Sequence, residues 1–127
     1  MPNYNEYDEI TSLIIGSAIE VHKELGPGLL ESTYQTCLLH ELKLKKLNVK
    51  SEMHLPVLYK DIELDHGYRI DILVEEAIVL ELKVVENFTP IHYAQILTYM
   101  KLGNYPIGFL FNFDVKMMKQ GMKRFVI

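Results

Sequence analysis

The stretch RIDILVEEAIVLELKVV, residues 69–85, is apolar enough to run through the middle of a protein, yet it carries Asp71, Glu81 and Lys83. It constrains the fold more than any other segment, because charge is costly in a buried strand and side chains alternate between faces with period two. In its second half Ile78, Leu80, Leu82 and Val84 point one way, and Val79, Glu81, Lys83 and Val85 the other. In its first half Ile70, Ile72 and Val74 oppose Arg69, Asp71 and Leu73. A two-residue turn at Glu75 and Glu76 would pair Asp71 with Leu80 and mix the two faces. A three-residue loop, 75–77, instead sets Asp71 across from Glu81 and keeps the apolar sets together. Both carboxylates and Lys83 then converge on one surface.

Two carboxylates opposed across a strand pair repel unless something positive lies between them. Lys83 could serve, but a divalent cation serves better: oxygen ligands hold Mg²⁺ with several waters retained, and a bound water becomes a nucleophile. Lys83 itself suits the orientation of that water or the stabilisation of charge on a phosphate. Counted alone, such a triple is more often a half-exposed ion-pair cluster than a catalytic site. Its place on the two most apolar strands shifts the balance toward function.

Around this hairpin the pattern is that of one α/β domain spanning residues 1–127. Ile10, Leu13, Ile14, Ser17, Ala18, Val21 and Leu25 follow helical spacing, with Asn5 as the expected cap. GPG at 26–28 breaks that helix, and a second is expected from Leu29 to Asn48, burying Leu30, Tyr34, Cys37, Leu38 and Leu42. From Val49 the period changes to two. VKSEMHLPVLY, interrupted at Pro56, reads as a strand, KD at 60–61 as a turn, and IELDHGYRIDILV and AIVLELKVV as two more strands. Thr89 and Pro90 open a third helix that Gly103 ends, and PIGFLFNF is a further strand. The expected order is α-α-β-β-β-α-β, with a short last strand in KRFVI.

Composition narrows the functional classes. No apolar run approaches the roughly 18 residues of a membrane span. The polar, acidic start MPNYNEYDE lacks the features of a secretory signal, and the cytoplasm is the expected location. One cysteine, Cys37, excludes an internal disulfide and a cysteine-rich zinc site. The net charge of -4 is unevenly spread: residues 82–127 are basic, with Lys116, Lys119, Lys123 and Arg124 near the end. That asymmetry permits an anionic ligand on one side.

The arrangement Asp71…Glu81-Leu82-Lys83 on a hairpin, with a helix before it and a helix and strand after it, resembles the PD-(D/E)xK nuclease superfamily. GLLESTY (Gly28, Glu31, Tyr34) is similar to the signature of the GxxExxY family within it, and the likeness continues through YRIDILV, ELK, HYAQILTYMKL and GFLFNF. Ile70 stands before Asp71 where the superfamily's name has proline. The resemblance implies a restriction-endonuclease-like core, a mixed central sheet flanked by helices, and hydrolysis of phosphodiester bonds with Mg²⁺, or Mn²⁺ in its place. It implies metal ligands at Glu31, Asp71, Glu81 and the Leu82 carbonyl, and a catalytic lysine at Lys83. Gln95 and Tyr99 match a Q-x-x-x-Y element that supports the site and the DNA. Tyr34, Arg69 and His92 complete the expected substrate-binding set.

Read without the family, Glu31 serves a helix dipole, Tyr99 is a core residue, and His22 is a surface or satisfied core histidine. Asn112 closes a strand. The leading expectation is a metal-dependent nuclease acting on DNA ahead of RNA, in repair, recombination or defence, with a homodimer allowed by the sheet edges. The small size and acidic charge motivate a second reading, a non-catalytic module that binds nucleic acid or protein. Carboxylate chemistry on sugars is a third and weaker one, disfavoured by the absence of tryptophan.

Overall fold

A computed structural model describes residues 4–127; the first three residues of the polar N-terminus lie outside them. One 3-10 turn, Tyr4–Tyr7, precedes helix α1, Asp8–Leu25, so Tyr7 rather than Asn5 holds the cap position. Gly26, at φ 67°, ends α1, and Gly28 follows at φ 104°, backbone conformations that favour glycine. Helix α2 runs Glu31–Leu44, shorter at both ends than its apolar pattern suggests. Leu30 falls at its cap position and is exposed, because the loop places it before the first buried turn.

Five strands form the main sheet in the order β1-β4-β5-β6-β7: Val49–His54, Arg69–Val74, Ile78–Lys83, Ile107–Asn112 and Met122–Val126. Only β5 and β6 are parallel, joined through helix α3, Pro90–Gly103. Strands β2, Val57–Tyr59, and β3, Ile62–Leu64, form a separate hairpin. The first expected strand is cut at Leu55 and Pro56, the interruption its proline announces. The second breaks at 65–68, where Gly67 lies at φ 78° and its N–H is held by the Asp65 carboxylate. The final strand, β7, is present.

The β4–β5 turn has the expected three residues, 75–77, and Val74 pairs with Ile78. Glu75 and Glu76 both take left-handed φ near 50°, a costly conformation for residues other than glycine. Asn48 compensates: its carbonyl accepts from the Glu75 N–H at 2.8 Å, and its own N–H donates to the Glu75 carboxylate at 2.5 Å.

Helices α1 and α2 cover one face of the sheet, where Ile72, Val74, Ile78, Leu80 and Leu82 meet Phe109, Phe111 and Phe113 in a buried cluster. Helix α3 covers the other, setting Ile96 and Met100 against Leu73, Val79 and Leu110. Gly108 allows that approach, since a Cβ there would lie 2.7 Å from the Met100 sulfur. The result is the mixed α/β sandwich expected from the resemblance. Among the described residues no helix is long and apolar enough to cross a membrane.

One strand departs from simple alternation. Ile70, expected beside Ile72 and Val74, packs into the α3 cluster with Leu73 instead. Its partner Met53 follows Glu52, which sits at φ 51° in the middle of β1. The left-handed residue interrupts the pleat opposite Asp71, so the faces are exchanged between Ile70 and Ile72.

Candidate active site

The last cross-strand pair of β4 and β5 before the site is Ile72–Leu80. Beyond it β4 continues beside β1, through Ile70 and Arg69, while β5 continues beside β6 to Lys83. Asp71 and Glu81 lie where the two strands part. Their carboxylates take over the work of the missing ladder. The Asp71 N–H donates to Glu81 Oε2 at 2.7 Å, and the Leu82 N–H donates to Asp71 Oδ2 at 2.8 Å. Each carboxylate is thus held through one oxygen by the backbone of the opposite strand, and the other oxygen of each, Oδ1 and Oε1, is not used in that exchange.

This position strains both charges. Glu81 is only 3% exposed. Burial, followed by the charge of Asp71, pushes its carboxyl up to about 8, although the Asp71 N–H and Lys83 act in the opposite sense. Burial likewise raises Asp71 to about 6, opposed by the Leu82 N–H and aided by the charges of Glu31 and Glu52. Two neighbouring carboxyls that share so little solvent cannot both ionise cheaply without a cation.

Lys83, at the end of β5, donates from Nζ to Gln95 Oε1 at 3.2 Å, and Gln95 Nε2 donates to the Tyr99 hydroxyl at 3.2 Å. Gln95 and Tyr99 stand one turn apart on α3, so the helix aims a fixed amide at the lysine. Tyr99 is buried, and burial raises its hydroxyl above the usual phenol value. Its hydroxyl therefore stays a neutral hydrogen-bonding group.

The structure thus brings Asp71, Glu81, Leu82, Lys83, Gln95 and Tyr99 together. Glu31 begins α2, exposed in its first turn, near enough for its charge to act on both Asp71 and Glu81. The remaining expected residues lie elsewhere. Tyr34 is wholly buried: its hydroxyl donates to the Gly26 carbonyl at 2.6 Å and accepts from the Leu29 N–H at 3.1 Å, and its ring stacks on Phe113 at 4.6 Å. A side chain without exposed surface has no face for a substrate; Tyr34 instead ties down the loop from which Glu31 starts. His92 accepts the Thr89 N–H at 3.0 Å through Nδ1, which closes the first turn of α3. Arg69 lies at the start of β4, donating to His54 Nδ1 at 2.8 Å and to the Tyr68 carbonyl at 3.1 Å.

Two residues join the site without having been singled out in the sequence. Gln35 Nε2 donates to the Asp71 carbonyl at 3.1 Å and reaches Glu52 Oε1 at 3.4 Å. Its position four residues after Glu31, on the same face of α2, was a usable signal. Glu52 had none, because its approach depends on a backbone conformation that strand patterning does not reveal. Two other readings of the sequence are settled by burial. His22 places Nε2 2.7 Å from the Val115 carbonyl, as a satisfied core histidine. Asn112 bridges the strand ends, donating to the Val85 carbonyl at 2.8 Å and accepting from the Val85 and Asp114 N–H groups.

Among the described residues no three acidic, histidine or cysteine side chains form a ready-made metal cluster. The donor chemistry fits a hard cation nonetheless: Mg²⁺ is ordinarily held by one or two carboxylates, waters and substrate phosphate. Asp71 and Glu81 supply such a pair, and their raised protonation is what a neighbouring cation would reverse. A family model described as the PD-(D/E)XK nuclease superfamily matches residues 8–125. No curated protein and no solved structure gave a match.

Proposed function

Because the chain belongs to the PD-(D/E)XK nuclease superfamily, whose members are generally phosphodiesterases, we propose that it is a divalent-metal-dependent nuclease that acts on DNA ahead of RNA. The observation that carries this reading is the carboxylate pair at the parting of β4 and β5, with Lys83 held beside it by Gln95. GLLESTY at the start of α2 supports assignment to the GxxExxY branch.

In this reading Asp71 and Glu81 would hold Mg²⁺, or Mn²⁺ in its place. The Leu82 carbonyl and Glu31 would be the further ligands. When bound, the cation neutralises phosphate charge and acidifies water. Lys83 orients the attacking water and stabilises negative charge gathering on the phosphate oxygens. The water oxygen forms a bond to phosphorus as the phosphorus–oxygen bond to the leaving sugar breaks; the proton lost by the water passes to solvent, and the sugar oxygen takes one up from solvent. Gln95 positions Lys83, and Tyr99 positions Gln95. Arg69 and His92, outside the cluster, would meet the nucleic acid beyond it. Asp71 and Glu81 would have to give up the protons that burial retains on them to hold a cation, so affinity for Mg²⁺ is expected to increase with pH.

The test is cleavage of end-labelled single-stranded DNA, duplex DNA and RNA in Mg²⁺, in Mn²⁺ and in EDTA, beside the Glu81→Ala protein. Metal-dependent products that vanish in the variant are expected. Products of equal yield from the folded variant, or in EDTA, would overturn the proposal.

A further inference from the structure

Helix α3 is apolar on the side turned away from the sheet as well as on the side that packs against it. Ile91 is 71% exposed, and Leu102 on the same outer side is exposed too. Between this side and the β2–β3 hairpin lies an open cavity of about 420 Å³, lined by Val57, Tyr68, Ile91, Gln95, Tyr99 and Leu102. The hairpin adds Leu58, Tyr59 and Ile62, all exposed. An open, largely apolar cavity carrying a few polar groups is the form of a binding site rather than of ordinary solvated surface.

Its chemistry points to a flat aromatic ligand. Tyr68 and Tyr99 meet edge to face, with centroids 6.3 Å apart, and Tyr68 keeps nearly half of its surface exposed. The backbone at Tyr68 is fixed, since its carbonyl accepts from the Leu55 N–H at 2.9 Å and from Arg69. Gln95 and Tyr99 put an amide and a hydroxyl into an otherwise apolar wall. The cavity is continuous with the catalytic cluster, because the same Gln95 that lines it accepts the hydrogen bond of Lys83. A ligand whose phosphate stands at Lys83 therefore has its adjoining parts beside Tyr68.

Resting on the nuclease reading above, we infer that this cavity receives one unpaired base of the substrate strand, so that the substrate class is single-stranded nucleic acid or a frayed or displaced end. A base stacks on an aromatic face whatever its identity, which gives strand selectivity without sequence selectivity. In an intact duplex both faces of each base are already occupied, and a base must be extruded before it can enter.

The experiment measures binding, so that it does not depend on turnover. A short DNA strand carrying the fluorescent base 2-aminopurine is titrated with the full chain in Ca²⁺, alone and annealed to its complement. Quenching by the single strand is expected, with affinity at least about 10-fold above that for the duplex. Tyr68→Ala is expected to lose on the order of 10-fold in single-strand affinity, and Tyr68→Phe to keep it. Ile91→Asp, at an exposed position, is the second variant and loses single-strand affinity alone. Equal affinity for both DNA forms, no binding, or loss of the same size on single strand and duplex would overturn the inference. So would a concentration-dependent dimer in sedimentation that Ile91→Asp abolishes, since it gives this surface to a second copy of the chain. Cleavage of the same strands in Mg²⁺ is scored separately: selective binding without cleavage removes the hydrolytic reading and leaves the base site standing.

Discussion

The face of the sheet under α1 and α2 and the face under α3 are built from the same strands but differ in what they can tolerate. Under α1 and α2, Ile72, Ile78, Leu80 and three phenylalanines form a cluster closed by the stacked ring of Tyr34. The charged residues of β5 are directed elsewhere. Under α3 the apolar contacts of Leu73, Val79 and Leu110 give way, toward the end of β5, to Glu81, Lys83 and Gln95. Charge persists there because the parting strands expose backbone N–H groups that a carboxylate can satisfy. In the nuclease reading proposed above, the same opening is where a cation and a phosphate would sit. On that reading one face serves stability and the other accepts a local cost in return for chemistry.

The sharpest way to break this contrast is to exchange the two kinds of residue. Glu81→Ala is expected to reduce cleavage to background, a loss of at least about 100-fold, with the far-ultraviolet circular dichroism unchanged. On the other face, Phe111→Ala should leave the site's groups intact yet destabilise the fold by about 3–5 kcal/mol, measured by urea denaturation. A cleavage loss without destabilisation in Phe111→Ala would show that the faces are not separable.

A smaller effect is expected where α3 meets the sheet. Gly108→Val forces a side chain against Met100 and Ile96, and should cost about 1–3 kcal/mol of stability. Because α3 carries Gln95, its displacement should also lower the rate through Lys83. A stable Gly108→Val protein with full activity would mean that the helix does not position the lysine.

The pH dependence of stability sharpens the comparison further. Glu81 and Asp71 have folded values raised to about 8 and about 6, above their ordinary 4.5 and 3.8. Between these limits the folded chain holds more protons than the unfolded one, so stability falls as pH increases from about 4 toward about 8 and then levels. The thermal midpoint of the metal-free protein should follow that decline, Glu81→Gln should flatten it, and Mg²⁺ should raise the midpoint more at pH 8 than at pH 6. A midpoint that increases with pH through this window would contradict the strained pair.

Much of this architecture can be read along the chain because it depends on short-range pattern. The three-residue loop at 75–77 follows from the need to join two apolar sets, and it aligns Asp71 with Glu81. Thr89 and Pro90 announce α3 through the chemistry of a helix's first turn, and GPG announces the end of α1. The tyrosines are different: hydroxyl and ring suit a core strut and a ligand contact alike, so Tyr34 and Tyr99 carry the same expectation, and only their partners separate them, Gly26 and Phe113 for one and Gln95 beside an open cavity for the other. Glu52 approaches Asp71 through one left-handed residue in a strand, and Ile70 changes faces beside it, neither of which leaves a mark on period-two alternation. The β2–β3 hairpin, the cavity it makes with α3 and the splay that turns two carboxylates into backbone acceptors all arise from strands that diverge in space. Local sequence determined which residues alternate, cap and turn, since those preferences act over a few bonds; the tertiary structure alone decided which side chains share one volume, because that depends on how distant segments exclude water together.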